Sequence, residues 1–317
     1  MPLQKVPLQP MQHELITLLA EQAARVPDAV ALRYEGTEVT YRILHERSNQ
    51  LAHYLQRRGV KANKLVPVCV ERSVNMLVAI LGILKAGAAY VPIDPEYPEE
   101  DIRHLLEDTG AYVMISSSYG RRNIPRDIAV SVILLDHVPD IFSNEPTSAP
   151  GHIPQPNDAA YMIYTAGATG LPKRLVVEHS GLLHHLMTRI TELCIHEYSV
   201  IAFTAPYTSD IAAWQMLAAI ACGGTTIIYP DHLMHNPAAF IRTVDRHAVT
   251  ILELGPDHLA TVLGENTGAT LKHLEYLLVK GEAVSGQLLE QWFAHPAYSH
   301  IPVVNAYGPG REKSIVL

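Results

Sequence analysis

The hydrophobic positions along the chain follow two alternating patterns. Short apolar runs rich in β-branched residues, such as 65–70 (LVPVCV) and 225–230 (TTIIYP), are separated by segments in which apolar residues recur every three or four positions. The runs lack the alternation of a half-exposed strand, which indicates strands buried on both faces of a helix-covered parallel sheet. This order predicts right-handed crossovers and a doubly wound α/β architecture. The other predicted strands are 88–93, 111–116, 131–136, 159–164, 200–204, 249–254, 275–279 and 301–307, and the helical patterns include 74–84, 99–107, 181–193, 211–220 and 284–293.

The N-terminal region has a different pattern. Residues 1–11 contain three prolines and read as a linker. Helical spacing then runs from His13 to just before Pro27, and residues 30–41 predict two short strands around Gly36. Thr40 is a candidate N-cap for a second helix that ends at Gly59. The one long irregular stretch, 137–158, contains five prolines and is a surface loop or a hinge between subdomains.

Composition narrows the functional class. The 317 residues suffice for about two domains, and 48% apolar against 18% charged residues excludes a disordered chain. Lys+Arg total 24 and Asp+Glu 32, giving a net charge of −8, without the basic excess typical of nucleic-acid binders. There is no signal-peptide pattern and no apolar run of the ~20 residues that span a bilayer. Three distant cysteines argue against a disulfide framework or structural zinc and favour a reducing cytoplasm, and the 17 histidines show no metal-ligand spacing.

Residues 161–182 (YMIYTAGATGLPKRLVVEHSGL) join a buried apolar run to a loop of small residues at 165–173. Glycines allow backbone N–H groups to turn toward an anion, hydroxyls add donors, and a lysine adds a point charge. The candidate phosphate-binding residues are Thr165, Gly167, Thr169, Gly170 and Lys173. The lysine follows a proline and precedes an arginine, so this is not a Walker loop. An ordinary connection between two strands is the alternative.

This segment resembles the nucleotide-binding signature YTSGSTGxPKG of adenylate-forming enzymes. Three further stretches match that family in the same order: 39–55 (VTYRILHERSNQLAHYL), 81–101 (LGILKAGAAYVPIDPEYPEED) and 305–311 (NAYGPGR). The second of these resembles the amino-acid-activating adenylation domains of nonribosomal peptide synthetases. The resemblance implies two Rossmann-like subdomains with mostly parallel sheets, one formed by 12–60 with 195–317 and the other by 61–194.

The resemblance also implies a two-step reaction. An amino-acid carboxylate attacks the α-phosphate of Mg-ATP and releases pyrophosphate, and the aminoacyl-AMP then acylates the thiol of a peptidyl carrier protein beside neighbouring synthetase domains. The phosphates would lie at the loop identified above. The adenine site would be formed by Gly281, Asn305, Ala306 and Tyr307.

The family places an aspartate at the start of a helix to pair with the substrate's ammonium group, and the matching residue here is Asp210. A plain helix-terminal aspartate is the alternative, because anions favour that end. Glu253 would meet a cationic substrate side chain or neutralise Lys280. The amino-acid pocket implied by the resemblance comprises Asp210, Ile211, Trp214, Glu253, Leu278, Lys280 and Ser314, with Ala306 nearby.

Several positions depart from the family pattern. Ala166 and Ala168 replace hydroxyl residues, Arg174 replaces a glycine, and Ser209 replaces an aromatic residue. Arg311 stands where an acidic residue helps to hold Mg²⁺, and an arginine cannot ligate a metal. The family's TGD motif and its C-terminal lid domain with the catalytic lysine do not occur by Leu317, so no catalytic residue is assigned.

Three functional hypotheses follow. The first is the ATP- and amino-acid-binding part of an adenylation domain for antibiotic-type peptide synthesis, incomplete for turnover. The second is a non-catalytic, degenerate adenylation-like platform within a synthetase. The third, an acyl-CoA-ligase-like protein, is disfavoured because a fatty acid has no ammonium group to pair with Asp210.

Overall fold

The computed structural model describes residues 14–137, 140–152, 154–165, 173–265, 267–279, 284–305 and 314–316. The strands are β1 (Val30–Tyr34), β2 (Thr37–Thr40), β3 (Leu65–Cys69), β4 (Ala89–Pro92), β5 (Val113–Ser116), β6 (Ser131–Leu134), β7 (Ala159–Thr165), β8 (Lys173–Glu178), β9 (Val200–Phe203), β10 (Thr225–Ile228), β11 (Ile251–Leu254), β12 (Tyr276–Val279), β13 (Val303–Asn305) and β14 (Ser314–Val316). The helices are α1 (Leu15–Arg25), α2 (Tyr41–Arg57), α3 (Val74–Lys85), α4 (Glu99–Thr109), α5 (His179–Glu192), α6 (Asp210–Cys222), α7 (Asp231–Met234), α8 (Pro237–Arg246), α9 (Pro256–Gly264) and α10 (Gly286–Ala294), with a 3₁₀ turn at Gly120–Asn123.

These strands form two mostly parallel sheets. The first has the order β14-β13-β12-β11-β9-β10-β1-β2, and the second has the order β6-β5-β3-β4-β7-β8. Antiparallel pairing occurs only at the edges of the described sheets, between β1 and β2, β13 and β14, and β7 and β8. The predicted α/β class with mostly parallel sheets is therefore confirmed. The first sheet combines β1 and β2 with strands that begin some 160 residues later, because β1 pairs with β10.

The predicted strands are buried as their composition indicates. Every residue of β4, β5 and β11 is buried, as expected for strands covered by helices on both faces. The strand β8 is the exception. It lies at the edge of its sheet with most of its residues exposed, including Leu175 and Val176. The predicted strands did not include this segment, so sequence reasoning missed an edge strand with an exposed apolar run.

Helix ends follow the local sequence. The hydroxyl of Thr40 accepts a hydrogen bond from the backbone N–H of Ile43 at 3.3 Å, which confirms Thr40 as the N-cap of α2. Ser73 caps α3 in the same way through Met76. The helix α6 ends at Gly223, whose φ of +91° lies in the left-handed region that glycine adopts without strain.

The irregular segment that begins at residue 137 lies along α2. The amide of Asn49 donates to the carbonyl oxygen of Thr147 at 2.7 Å, and Gln50 donates to that of Ser143 at 2.7 Å. Phe142 is completely buried and anchors the segment in the main core. Residues 140–152 of this segment therefore pack against α2 as a surface loop.

Each sheet contains a point at which the strand order reverses. In the first sheet the chain leaves β9 to form β10 on one side and β11 on the other, and in the second it leaves β3 to form β4 and β5 on opposite sides. Ligands of doubly wound proteins bind at such points, beyond the carboxyl ends of the strands. None of the described helices is long and apolar enough to cross a membrane.

Candidate functional site

The two strand-order reversals are joined by Arg72, which follows β3 in the second sheet. Its guanidinium Nη2 donates to the carbonyl oxygens of Thr204 and Ala205, at 3.2 and 2.6 Å, just after β9 of the first sheet. Its Nε donates to Oδ1 of Asp231 at 2.7 Å, at the end of β10. Arg72 is only 3% exposed. The carboxyl ends of strands from both sheets therefore meet around one buried cation.

A second link lies beside the first. The hydroxyl of Tyr207 donates to Oδ1 of Asp94 at 3.0 Å, joining the segment after β9 to the segment after β4. Burial, followed by the charge of Asp94, raises the pKa of Tyr207, so the phenol keeps its proton. The guanidinium of Arg72 lies over the Tyr207 and Phe203 rings, at 5.6 and 4.7 Å from their centroids. These contacts fix the path of the segment that leads to Asp210.

Asp210 is the first residue of α6 and is exposed. The position is favourable for a carboxylate, because the N-terminus of a helix carries a partial positive charge. The charge of Asp210 acts on Tyr161 of β7, whose pKa is raised to about 12 by burial and, second, by this carboxylate. Asp210 therefore lies within electrostatic reach of a strand of the second sheet.

Glu253 and Leu278 are register partners on the adjacent strands β11 and β12, and Leu278 pairs in turn with Val304 of β13. In-register residues of parallel strands share a face of the sheet. Leu278 and Val304 belong to the same buried cluster as Trp214 of α6, and Ile211 of α6 packs against that cluster. Ile211 and Trp214 lie on α6 within four residues of Gln215, whose side chain donates to Glu253. The fold therefore brings this part of α6 against Glu253 and its register partner Leu278.

Gln215 connects this wall to the segment after β9. Its side-chain oxygen accepts from the backbone N–H groups of Thr204 and Ala205, at 2.9 and 2.8 Å, and its Nε2 donates to Oε2 of Glu253 at 2.9 Å. Gln215 is fully buried. Sequence reasoning missed this residue, although a lone polar residue inside the apolar helix sequence AAWQMLAAIA was the signal that identifies it.

Sequence reasoning also missed Arg72 and Arg189. Arg189 is on α5, and its guanidinium lies 5.6 Å from the centroid of the Trp214 ring. Both arginines reach the site from segments far away along the chain, and no local pattern signals either contact.

The predicted phosphate loop joins β7 to β8. Thr165 pairs with Lys173 at the end of this antiparallel hairpin that the loop joins, and both side chains are exposed there. Gly167, Thr169 and Gly170 lie outside the described residues, as do Ala166 and Ala168. The structure therefore describes Thr165 and Lys173, which flank the predicted phosphate-binding loop, and the residues within the loop stay predictions.

Arg174 points away from this hairpin end. Its Nε donates to Oδ2 of Asp108 on α4 at 2.5 Å, its Nη2 contacts the other carboxylate oxygen, and Tyr164 donates to the same carboxylate at 2.6 Å. Hydrogen bonding to Arg174 is the largest cause lowering the pKa of Asp108. The bulky substitution at this position is thus accommodated by an ion pair with α4.

Of the predicted adenine site, the structure describes only the backbone pairing of Asn305. Asn305 of β13 pairs with Ser314 of β14 in antiparallel register. Gly281, Lys280, Ala306, Tyr307 and Arg311 lie outside the described residues. Within the described ranges there is no group of three or more His, Cys, Asp or Glu side chains that could hold a metal ion.

Comparisons with known proteins identify the family and the fold of the chain. The family model described as "AMP-binding enzyme" matches residues 19–310. The chain belongs to the AMP-binding enzyme family. Tyrocidine synthase 2 of Brevibacillus parabrevis is 32% identical over 310 residues, covering 98% of this chain and 8% of that protein. Malpinin synthetase of Mortierella alpina is 33% identical over 297 residues, covering 92% of this chain and 4% of that protein.

Solved structures of this family show the same architecture. A crystal structure of the nonribosomal peptide synthetase FmoA3 in its form bound to α-methyl-L-serine-AMP superposes with a TM-score of 0.85 at 27% identity, covering 95% of this chain and 34% of that one. The chain therefore has the fold of the N-terminal region of adenylate-forming synthetases. It spans only a small part of the length of these family members.

Proposed function

We propose that this chain forms the amino-acid- and ATP-binding walls of an adenylation domain in a nonribosomal peptide synthetase. The observation that carries this proposal is the link between α6, which begins at Asp210 and contains Trp214, and β11 of the first sheet, where Gln215 donates to Glu253, the register partner of Leu278. A carboxylate at a helix N-terminus beside a largely apolar wall suits the ammonium group and side chain of an amino acid.

In the proposed reaction an oxygen of the amino-acid carboxylate forms a bond to the α-phosphorus of ATP, and the bond from that phosphorus to the pyrophosphate oxygen breaks. Positioning and charge neutralisation contribute most to such a transfer, since two anions must approach each other. Asp210 would orient the amino acid through its ammonium group. Thr165 and Lys173, exposed at the hairpin end, would donate to the phosphates, and the ion pair of Arg174 with Asp108 leaves that end accessible.

ATP supplies the adenylyl group, and Mg²⁺ would accompany it. The family position for its acidic ligand is Arg311 in this sequence, a side chain without a lone pair for a metal. The residue at this position therefore does not fit the ion. The proposed partners are a peptidyl carrier protein and the neighbouring domains of a synthetase. Within the chain, we propose that residues 12–60 and 195–317 form one subdomain and that residues 61–194 form the other.

Binding of a non-hydrolysable aminoacyl-sulfamoyladenosine to this chain, measured by calorimetry, tests the proposal. Asp210→Asn should weaken binding by about tenfold or more, the equivalent of one charge-assisted hydrogen bond, while ATP binding stays unchanged. Asp257→Asn is the matched control, because Asp257 is also an exposed aspartate in the first turn of a helix, α9. A folded chain that binds neither ATP nor any aminoacyl analogue at millimolar concentration would refute the proposal and support the platform hypothesis.

A further inference from the structure

Arg189 introduces a positive charge into the wall of the proposed amino-acid pocket. Its side chain is 12% exposed, and its guanidinium lies over the ring of Trp214, itself 1% exposed. The atom Nη1 is buried and has no hydrogen-bond partner among the described residues. The carboxylate oxygen Oε2 of Glu192, on the same helix, is 3.9 Å from this atom, and the Glu192 side chain is partly exposed.

Two carboxylates of the pocket act on this cation. Burial lowers the pKa of Arg189, while the negative charges of Glu253 and then Asp210 oppose that shift. Glu253 is 6% exposed and belongs to the same wall as Trp214, to which it is tied through the neighbouring Gln215. Arg189 and Glu253 therefore lie within electrostatic reach of each other in a largely dry environment, where an uncompensated charge is costly.

The charges of the described pocket residues can be balanced. Asp210 carries one negative charge that the substrate's ammonium group would neutralise. Glu253 carries a second negative charge, and Arg189 carries one positive charge. Glu192 lies partly exposed on α5, where solvent screens its charge. With the ammonium bound, the charges of Asp210, Glu253 and Arg189 are therefore balanced, and none of the three remains for a substrate side chain to compensate.

We infer that Arg189 is a specificity-determining residue, which compensates Glu253 from within the protein and directs the pocket to amino acids with uncharged side chains. This inference rests on the function proposed above and names its substrate class. It replaces the two sequence-based alternatives for Glu253, a cationic substrate side chain or Lys280 alone, with a counter-charge from α5. A lysine or ornithine side chain would place a second cation beside Arg189, and a glutamate side chain would place a second anion beside Glu253.

The test uses the full chain and four aminoacyl-sulfamoyladenosines with leucyl, glutaminyl, glutamyl and lysyl groups, titrated by calorimetry. We expect the leucyl or glutaminyl compound to bind about tenfold or more tightly than the two charged compounds. Tightest binding of the lysyl or the glutamyl compound would overturn the inference and leave the proposed function intact. Binding of none of the four while ATP still binds would also overturn the inference, whereas a folded chain that binds neither ATP nor any aminoacyl analogue would refute the proposed function.

Variants then assign the effect to Arg189. Arg189→Met should raise the affinity for the lysyl compound relative to the leucyl compound by about tenfold, because Glu253 is left without this counter-charge. Arg189→Lys should keep the wild-type order, and adding Glu253→Gln to Arg189→Met should abolish the gain. Arg242→Met, which removes an exposed arginine of α8, is the matched control, and an equal or larger shift in that variant would overturn the assignment. If Arg189→Met does not fold, as judged by circular dichroism, Arg189→Gln takes its place, and the wild-type comparison decides the substrate class independently.

Discussion

The Nε atom of Arg72 donates a hydrogen bond to Oδ1 of Asp231 at 2.7 Å and so joins the two sheets of the protein. The two partners are unequal, since Arg72 is 3% exposed and Asp231 is 52% exposed. The buried arginine also donates to the backbone carbonyl oxygens of Thr204 and Ala205. The energetic importance of this cluster therefore lies with Arg72 rather than with its acidic partner.

Arg72→Met should lower the free energy of unfolding by about 3 kcal/mol, because it removes a buried charged donor from the Thr204 and Ala205 carbonyls. Asp231→Asn should cost less than about 1 kcal/mol, as expected for a solvent-exposed ion-pair partner. Urea denaturation of the two variants and the wild type measures both values. Equal destabilisation by the two substitutions would contradict this division of roles.

Gln215→Leu should weaken binding of an aminoacyl-sulfamoyladenosine more than binding of ATP. The substitution leaves the N–H groups of Thr204 and Ala205 without their acceptor and removes the donor to Glu253, at about 1–3 kcal/mol for each buried group left unpaired. Both groups position the proposed amino-acid wall. Titration of both ligands against the variant is the measurement, and Gln287→Leu on the first turn of α10 is a control for loss of an exposed glutamine. An equal loss of affinity for both ligands would indicate general unfolding instead.

Arg174→Gly restores the residue typical of the family, and we expect it to leave ATP affinity within about twofold, a change of less than 1 kcal/mol. The reason is that the Arg174 side chain is engaged by Asp108 away from the hairpin end. The loss of stability should stay below about 1 kcal/mol, because Arg174 is half-exposed. A marked gain in ATP affinity in calorimetry would show that Arg174 obstructs the phosphate loop after all.

Because Lys85 is buried, we expect the free energy of unfolding to depend on pH. Its ammonium group is buried among Ser48, Asn49 and His45, with hydrogen bonds of 2.7 and 2.8 Å to the first two. Burial lowers its pKa from 10.5 to about 7. Between these values the unfolded chain binds a proton that the folded protein releases, so the free energy of unfolding rises with pH from about 7 towards 10.5.

Lys85→Met removes this group, so the difference in unfolding free energy between wild type and variant should change in favour of the wild type as pH rises from 7 to 9. Urea titrations at half-unit pH intervals measure the slope. Lys64→Met, which removes an exposed lysine before β3, should show no such slope. A wild type and Lys85→Met pair with parallel pH profiles would refute the assignment.

The fold was largely predictable because its strands are buried on both faces. A run such as AAYVPI has to be covered on both sides, and the helices between such runs can provide that cover. The edge strand β8 was missed because its apolar side chains remain exposed, so burial does not shape its sequence. Strand order was not readable either, since the pairing of β1 with β10 depends on contacts between distant segments.

The candidate site, too, was predictable from the sequence only in part. Motif resemblance gave Asp210, Trp214, Glu253 and Leu278, and the structure connects the helix that carries the first two to the strands that carry the others through Gln215. Arg72 reaches the carbonyl oxygen of Thr204 across a separation of 132 residues, and Arg189 reaches Trp214 from another helix. Neither of these two contacts leaves a periodic pattern in the sequence.

The sequence by itself determined the family, most of the buried elements and the presence of a carboxylate at the start of α6, because these depend on local spacing and on contiguous motifs. Only the tertiary structure decided which charges meet: Arg72 with Asp231, Arg174 with Asp108, and Arg189 with the wall that contains Glu253. The physical reason is that the cost of burying a charge depends on every group packed around it. In this protein those groups come from both sheets and from helices far apart along the chain.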